Sequence, residues 1–167
     1  MKALSIDGDD YAYIMLYQMA DSCLVNIATK LKVEAAKSPT NDHWPFYLGC
    51  VYDEADQCKK AIDYYKESNR LNANPLKSYR IARCYRELGD YNEGLKHVET
   101  AIQNDSTDTD NVLLRGTIYD DMGNSKAAIA DMDKYISMVP DSFFGYYKRG
   151  WYKYHIGDTE GALEGYT

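Results

Sequence analysis

The sequence predicts an all-α fold, an α-solenoid of antiparallel helix pairs, and three observations predict it. Two markers recur along the chain with the same period of 33 or 34 residues. A turn pattern of glycine followed by aspartate or asparagine separates the two markers in three of the four repeats. Apolar residues recur at helical spacing on either side of the turn. A period near 34 residues with two helices in each period indicates stacked helix pairs.

Both markers centre on a small residue. The first small residue is Gly49, Ala82, Gly116 and Gly150 in the successive repeats. The second is Ala61, Gly94, Ala128 and Ala162, each followed four positions later by a larger residue, namely Tyr65, Val98, Met132 and Tyr166. Small residues allow two helices to approach closely. We therefore expect the two helices of a repeat to cross at these positions, with Gly116 facing Ala128.

The turns between the two helices have a recognisable chemistry. They read Leu88-Gly89-Asp90, Met122-Gly123-Asn124 and Ile156-Gly157-Asp158. Glycine suits a left-handed helix stop, and aspartate or asparagine caps the next helix. Asp90 with Glu93 also fits a capping box. The first repeat has Ala55-Asp56-Gln57 instead, so we expect it to keep the cap, lose the glycine and form the least regular turn.

The period divides the chain into a helical amino-terminal segment and four repeats. The repeats are 42–74, 75–108, 109–142 and 143–167, the last one truncated in its second helix. In segment 1–41, apolar residues from Tyr11 to Lys37 recur at helical spacing, as one helix or as two broken near Asp21. We expect this segment to cover the first repeat. Because terminal repeats normally carry a polar capping helix, the short fourth repeat suggests a fragment of a longer protein.

These markers resemble the signature of the tetratricopeptide repeat family over about residues 42 to 167. The chain departs from that signature at its early tryptophan position, which is occupied in the four repeats by Pro45, Ser78, Val112 and Tyr146. The closing proline is present only as Pro140, with Ala73 and Ser106 in the earlier repeats. The resemblance implies a right-handed superhelix, in which the first helix of each repeat lines a concave groove that holds a peptide.

Groove-facing positions follow from the resemblance and lie at helical three-and-four spacing. They are Phe46, Cys50 and Asp53; Tyr79, Arg83 and Arg86; Leu113, Thr117 and Asp120; and Tyr147, Trp151 and Tyr154. The predicted protein-binding residues among them are Phe46, Tyr79, Arg83, Arg86, Asp120, Tyr147, Trp151 and Tyr154. The aromatic cluster of the fourth repeat indicates an interaction patch, and the two arginines suit a carboxylate. Packing between repeats and a solvated arginine face are the alternative interpretations.

The predicted function is a non-catalytic scaffold that binds a protein or peptide. The alternative is a structural or self-assembly module that stacks through open repeat ends, including a homodimer through the carboxyl-terminal end. A basic clamp for acidic chaperone tails is not expected, because the first repeat offers Phe46 and Cys50 where such a clamp needs lysine and asparagine.

Other function classes lack their sequence signals. His43, His97 and His155 are isolated from one another, and no phosphate-loop, nucleophile-elbow or metalloprotease motif is present. The acidic run from Asp105 to Asp110 lacks the glycine and closing glutamate of an EF-hand. We therefore expect no enzyme activity, no metal and no cofactor.

Composition limits the classes of partner and the cellular compartment that the sequence predicts. A formal net charge of −7 with dispersed basic residues disfavours nucleic acid, and no apolar stretch is long enough for a membrane helix. We expect the four cysteines, Cys23, Cys50, Cys58 and Cys84, to be buried apolar residues. This pattern favours the cytoplasm, although a leader trimmed from the start would leave an exported location open.

Overall fold

The computed structural model describes residues 21–164. Within this range the chain forms nine α-helices and no strand. They are α1 Asp21–Lys37, α2 His43–Glu54, α3 Cys58–Leu71, α4 Pro75–Glu87, α5 Tyr91–Asn104, α6 Thr109–Asp121, α7 Ser125–Met138, α8 Phe143–His155 and α9 Thr159–Glu164. They divide into two compact units: unit 1 ends at Ala73 and unit 2 starts at Asn74. The predicted all-α class is confirmed.

Unit 1 contains α1, α2 and α3, with α2 packed against both of the others. Leu24, Ala28 and Leu31 of α1 are buried against Leu48 and Val51 of α2. Residues Asp21–Lys37 of the predicted amino-terminal helical segment form a helix that packs on the first repeat, and the choice between one helix and two broken near Asp21 stays a prediction. The part of that prediction before residue 21 lies outside the described residues, as do the side chain of Cys23 and the whole of Tyr166.

Helices α2 and α3 approach each other through Gly49. A Cβ atom added at Gly49 would lie only 2.4 Å from Cδ1 of Tyr65, and Tyr65 itself is fully buried. A larger residue at position 49 would displace the Tyr65 ring. The small residue of the first marker and the large residue of the second therefore form one contact.

Unit 2 contains three helix pairs, α4 with α5, α6 with α7 and α8 with α9. Helices α5 and α6, and then α7 and α8, join successive pairs. A Cβ at Gly94 would lie 3.3 Å from the Ala82 carbonyl oxygen, and one at Gly116 would lie 3.7 Å from the Ala128 carbonyl oxygen. The expected crossing of the two markers is confirmed in the second and third repeats, including the approach of Gly116 to Ala128.

One backbone hydrogen bond recurs in all four turns. It joins Gln57 N to Tyr52 O, Asp90 N to Tyr85 O, Asn124 N to Tyr119 O and Asp158 N to Lys153 O, at 2.8 to 3.0 Å. The residue before each donor is left-handed, and it is a glycine with φ between 74° and 84° in the last three turns. In the first turn Asp56 takes this conformation with φ 55°. The backbone of the first turn therefore follows the same path as the others without the expected glycine, because aspartate tolerates left-handed backbone.

Helix caps differ between the first turn and the others. The carboxylate of Asp90 accepts from Glu93 N, and the side chains of Asn124 and Asp158 accept in the same way three residues on. Gln57 stands at the corresponding place before α3 and makes no side-chain cap bond. The prediction that the first repeat keeps its cap is therefore wrong. Asp56 supplies the left-handed residue, which leaves glutamine, a poor capping residue, at the N-cap.

None of the helices between residues 21 and 164 has both the length and the apolar character needed to cross a bilayer.

Candidate functional site

Helix α8 carries the most exposed of the predicted binding residues. Its first turn is capped by Ser142, whose hydroxyl accepts from Gly145 N at 3.3 Å. Tyr147, Trp151 and Tyr154 are 41%, 42% and 61% exposed, and they are called the aromatic stripe below. Their neighbour Tyr152 is fully buried. Helix α8 therefore has one side packed in the core and one solvent-exposed side, which carries the aromatic stripe.

Two further aromatic rings, those of Phe143 and His155, extend the row of exposed aromatic residues beyond those predicted from the sequence. The Phe143 ring stacks on Tyr147 with centroids 6.2 Å apart, and the His155 ring meets Trp151 edge-on at 4.5 Å. Phe143, Tyr147, Trp151 and His155 are each four residues apart. Residues at this spacing are neighbours on a helix surface, so the spacing could have identified Phe143 and His155 in advance.

Arg83 and Arg86 lie on α4 and each meets a carboxylate of the same chain. The Arg86 Nε donates to Oδ2 of Asp121, which ties α4 to α6. Arg83 Nε lies 3.8 Å from Oε1 of Glu87, one helical turn later. The Arg86–Asp121 pair was not predicted. A ligand carboxylate at Arg86 would have to compete with Asp121.

Tyr79 and Asp120 are half-buried members of the predicted site. The Tyr79 ring packs against the core formed by Ala82 and Val98. Burial raises the pKa of Tyr79, and the negative charge of Asp110 adds to the shift. Burial also raises the pKa of the Asp120 carboxyl, while the positive charge of Lys148 opposes that shift. Sequence reasoning missed Lys148, which lies on α8 next to Tyr147 in the chain.

In unit 1, two of the three side chains at the corresponding positions of α2 are buried. Cys50 and Asp53 are only 3% and 6% exposed, and Oδ2 of Asp53 accepts from the Tyr65 hydroxyl at 3.0 Å. The expectation that these two residues face a groove is wrong, because their side chains are used in packing. The Phe46 ring lies 5.7 Å from the Tyr65 ring and is half-buried. Its role in binding stays a prediction.

Two further sequence features have structural uses. The carboxylate of Asp105 accepts from both the backbone nitrogen and the hydroxyl of Thr107, which lowers the pKa of Asp105. Asp108 caps α6 by accepting from Asp110 N at 2.9 Å. The acidic run thus forms a turn and a helix cap. Cys50, Cys58 and Cys84 are buried, as expected.

The paired helices and their small-residue crossings agree with a family comparison. Residues 78–108 and 111–142 match the family model described as tetratricopeptide repeat. These two segments are tetratricopeptide repeats. The two matched segments cover most of α4 to α7, and the family resemblance predicted from the sequence is confirmed. No curated protein sequence matches the chain.

Solved structures share this tetratricopeptide repeat fold at low sequence identity. A crystal structure of MamA superposes with a TM-score of 0.80 at 20% identity, covering 86% of this chain and 84% of that one. YrrB, described as having an unusual peptide-binding site, gives 0.73 at 18%, covering 94% and 82%. The first such domain of Spaghetti (RPAP3), bound to an HSP90 peptide, gives 0.66 at 16%, covering 70% and 94%. These likenesses establish the fold.

Proposed function

We propose that this chain is a non-catalytic protein-interaction module that binds a peptide segment along α4, α6 and α8 of unit 2. The observation that carries the proposal is the exposure of the aromatic stripe. Large aromatic side chains are expensive to leave in water, and a contiguous exposed patch of them is typical of an interaction surface. Tyrosine and tryptophan are also the residues that most often dominate binding energy at protein interfaces.

The similar structures support a peptide ligand. YrrB is described as having a peptide-binding site, and the Spaghetti domain is bound to a peptide. Both share their helix-pair architecture with this chain. A peptide that lies across the first helices of successive repeats would meet residues at matching places on α4, α6 and α8.

The side chains suggest different roles within this surface. Tyr147, Trp151 and Tyr154 would supply the apolar area that a peptide side chain buries. Arg83 and Arg86 would orient an acidic group, but Asp121 already occupies Arg86. An acidic group is therefore expected to contribute less than an aromatic or aliphatic anchor. Tyr79 and Asp120 would border the path between these two parts.

A selection from a displayed peptide library tests this proposal. The intact protein serves as bait, and the selected peptides are titrated against a Trp151→Ala, Tyr154→Ala variant. Truncation of interface anchors costs about 2 kcal/mol or more per residue, so the variant is expected to lose the peptides almost completely. An Arg83→Gln, Arg86→Gln variant should weaken only those peptides that contain an acidic residue.

The matched control is a Leu88→Ala, Met122→Ala variant. Both residues are 42% exposed, lie in unit 2 and stand in the turns that follow α4 and α6. This control should bind the selected peptides as the parent does. Equal loss in the control and in the Trp151→Ala, Tyr154→Ala variant, with both folded by circular dichroism, would contradict binding at the stripe.

Self-assembly is a second candidate, favoured by Leu163 of α9, which is 68% exposed. An apolar residue this open on the last described helix could pack on a second copy of the chain. Sedimentation velocity over a range of concentrations tests this interpretation. A dimer that a Leu163→Glu change abolishes would support it, and a monomer at all concentrations would reject it.

A further inference from the structure

Unit 1 contains a cavity of about 400 Å³ between α1, the end of α2 and the start of α3. Its walls include the apolar side chains of Leu24, Ala28 and Val51, which belong to the buried core of this unit. Its lining also includes Lys32, Tyr52 and Lys60. No residue of the aromatic stripe lines it. The cavity therefore combines an apolar wall with two lysines.

Both lysines are arranged around the ring of Tyr52. The Lys32 Nζ lies 5.5 Å from the ring centroid and the Lys60 Nζ lies 5.2 Å from it. Lys32 also donates to the Tyr52 hydroxyl at 2.9 Å. The Tyr52 ring is itself held by parallel stacking on Tyr64, with centroids 5.3 Å apart. Two ammonium groups are thus positioned by one ordered aromatic side chain.

Among the residues that the structure describes, the groups recorded in contact with these ammonium ions are neutral. Lys32 contacts the tyrosine hydroxyl and ring, and Lys60 donates to the amide oxygen of Gln57 at 2.8 Å. Elsewhere in unit 1 the pattern is different, because Lys37 pairs with Glu34 and Arg70 pairs with Glu67. Two positive charges set beside neutral partners favour an anion between them.

We propose that this cavity binds a small amphipathic carboxylate, with its apolar body against Leu24, Ala28 and Val51 and its carboxylate between Lys32 and Lys60. The volume lies within the range of small-molecule sites, roughly 300 to 1,000 Å³. Burial of the apolar body supplies most of the affinity. The lysines select the anion and fix its orientation, since exposed charge pairs contribute modestly.

Calorimetric titration of the intact protein with octanoate, 1-octanol and acetate separates these contributions. Octanoate carries both features of the ligand, octanol keeps the apolar body, and acetate keeps the anion. We expect octanoate to bind, octanol to bind more weakly and acetate to give no signal. Octanol that binds as tightly as octanoate, or octanoate that gives no signal, would overturn the proposal.

Paired lysine variants locate the site. A Lys32→Gln, Lys60→Gln variant should bind octanoate about fivefold to tenfold more weakly, as expected for the loss of two exposed charge contacts. The control is Lys30→Gln, Lys59→Gln, which removes the same charge from exposed positions of the same two helices. That control should stay within about twofold of the parent. Equal weakening in the two variants would overturn the site, provided that both retain the parent's melting temperature.

A peptide carboxyl terminus is the competing occupant of the cavity. A short peptide ending in leucine, as the acid and as the amide, tests it in the same titration. We expect neither form to bind as tightly as octanoate. A peptide acid that binds more tightly than octanoate, and that loses its affinity in the Lys32→Gln, Lys60→Gln variant, would overturn the assignment to a small molecule.

Discussion

Helices α2 and α8 are the first helices of their repeats, yet they use the same repeat positions in opposite ways. Cys50 and Asp53 of α2 are buried, whereas Trp151 and Tyr154 at the matching places of α8 face water. On α2 the carboxylate of Asp53 is engaged by the Tyr65 hydroxyl from α3. Repeat position alone therefore does not decide whether a ligand can reach a side chain, because the packing neighbours differ between the two helices.

Among the changes to buried residues, truncation of Tyr65 should lower the free energy of unfolding the most. Tyr65 is fully buried and fills the space beside Gly49. A Tyr65→Ala change should lower the free energy of unfolding by about 3 to 5 kcal/mol, as for other buried aromatic truncations. Tyr65→Phe keeps the ring and removes only the donor to Asp53, so it should cost about 1 to 3 kcal/mol. Urea denaturation measures both, and equal stabilities of the parent and Tyr65→Ala would refute the packing role.

The stability of the protein at alkaline pH tests the burial of Tyr152 on the packed side of α8. Burial raises the pKa of Tyr152 to about 12, above an ordinary value of about 10. The unfolded chain therefore loses this proton first as pH rises. The stability that the protonated form provides is complete below about pH 10 and is lost as pH rises towards 12, for a total of about 2 to 3 kcal/mol.

The control for that measurement is the neighbouring exposed tyrosine. Tyr152→Phe should reduce the fall in urea-denaturation stability between pH 10 and 12, whereas Tyr154→Phe makes the same chemical change on the wet side of α8. An identical alkaline fall in the parent and in Tyr152→Phe would show that Tyr152 is not the group responsible.

A smaller effect is expected at the helix crossing of the third repeat. A side chain at Gly116 would meet Met132 and Asp131 of α7, with a Cβ 2.8 Å from the Met132 Cε. Gly116→Leu should therefore overpack this crossing and cost about 1 to 3 kcal/mol. Gly116→Ala should cost less, since the end of a methionine side chain moves easily. A parental melting temperature for Gly116→Leu would contradict the crossing.

The fold could be predicted because close helix crossings require small residues at regularly spaced positions in the sequence. Gly49, Gly94 and Gly116 stand where a Cβ would collide with or press on the opposite helix, so their spacing reveals the repeat. The predicted cap of the first turn is wrong because Asp56 resembles a capping residue but takes the left-handed position instead. Its actual use, in left-handed backbone, depends on a local conformation that a repeat alignment does not specify.

The candidate site was harder to predict than the fold. The aromatic stripe followed from the resemblance, but the burial of Cys50 and Asp53 depends on Tyr65, a residue of the next helix. The pairing of Arg86 with Asp121 joins residues 35 positions apart, and no local pattern indicates it. The cavity beside Tyr52 depends on how α1 packs against α2, which helical spacing alone does not define.

Trp151 offers a direct optical test of peptide binding at the stripe. The chain has two tryptophans, Trp151 on the stripe and Trp44, which is half-buried beside the core of unit 1. In a Trp44→Phe variant, Trp151 is the remaining emitter. Addition of a library-selected peptide should shift its emission to the blue and reduce quenching by iodide. The reciprocal Trp151→Phe variant should give no change. Unchanged Trp151 emission at saturating peptide, with a response from Trp44 instead, would contradict binding at the aromatic stripe.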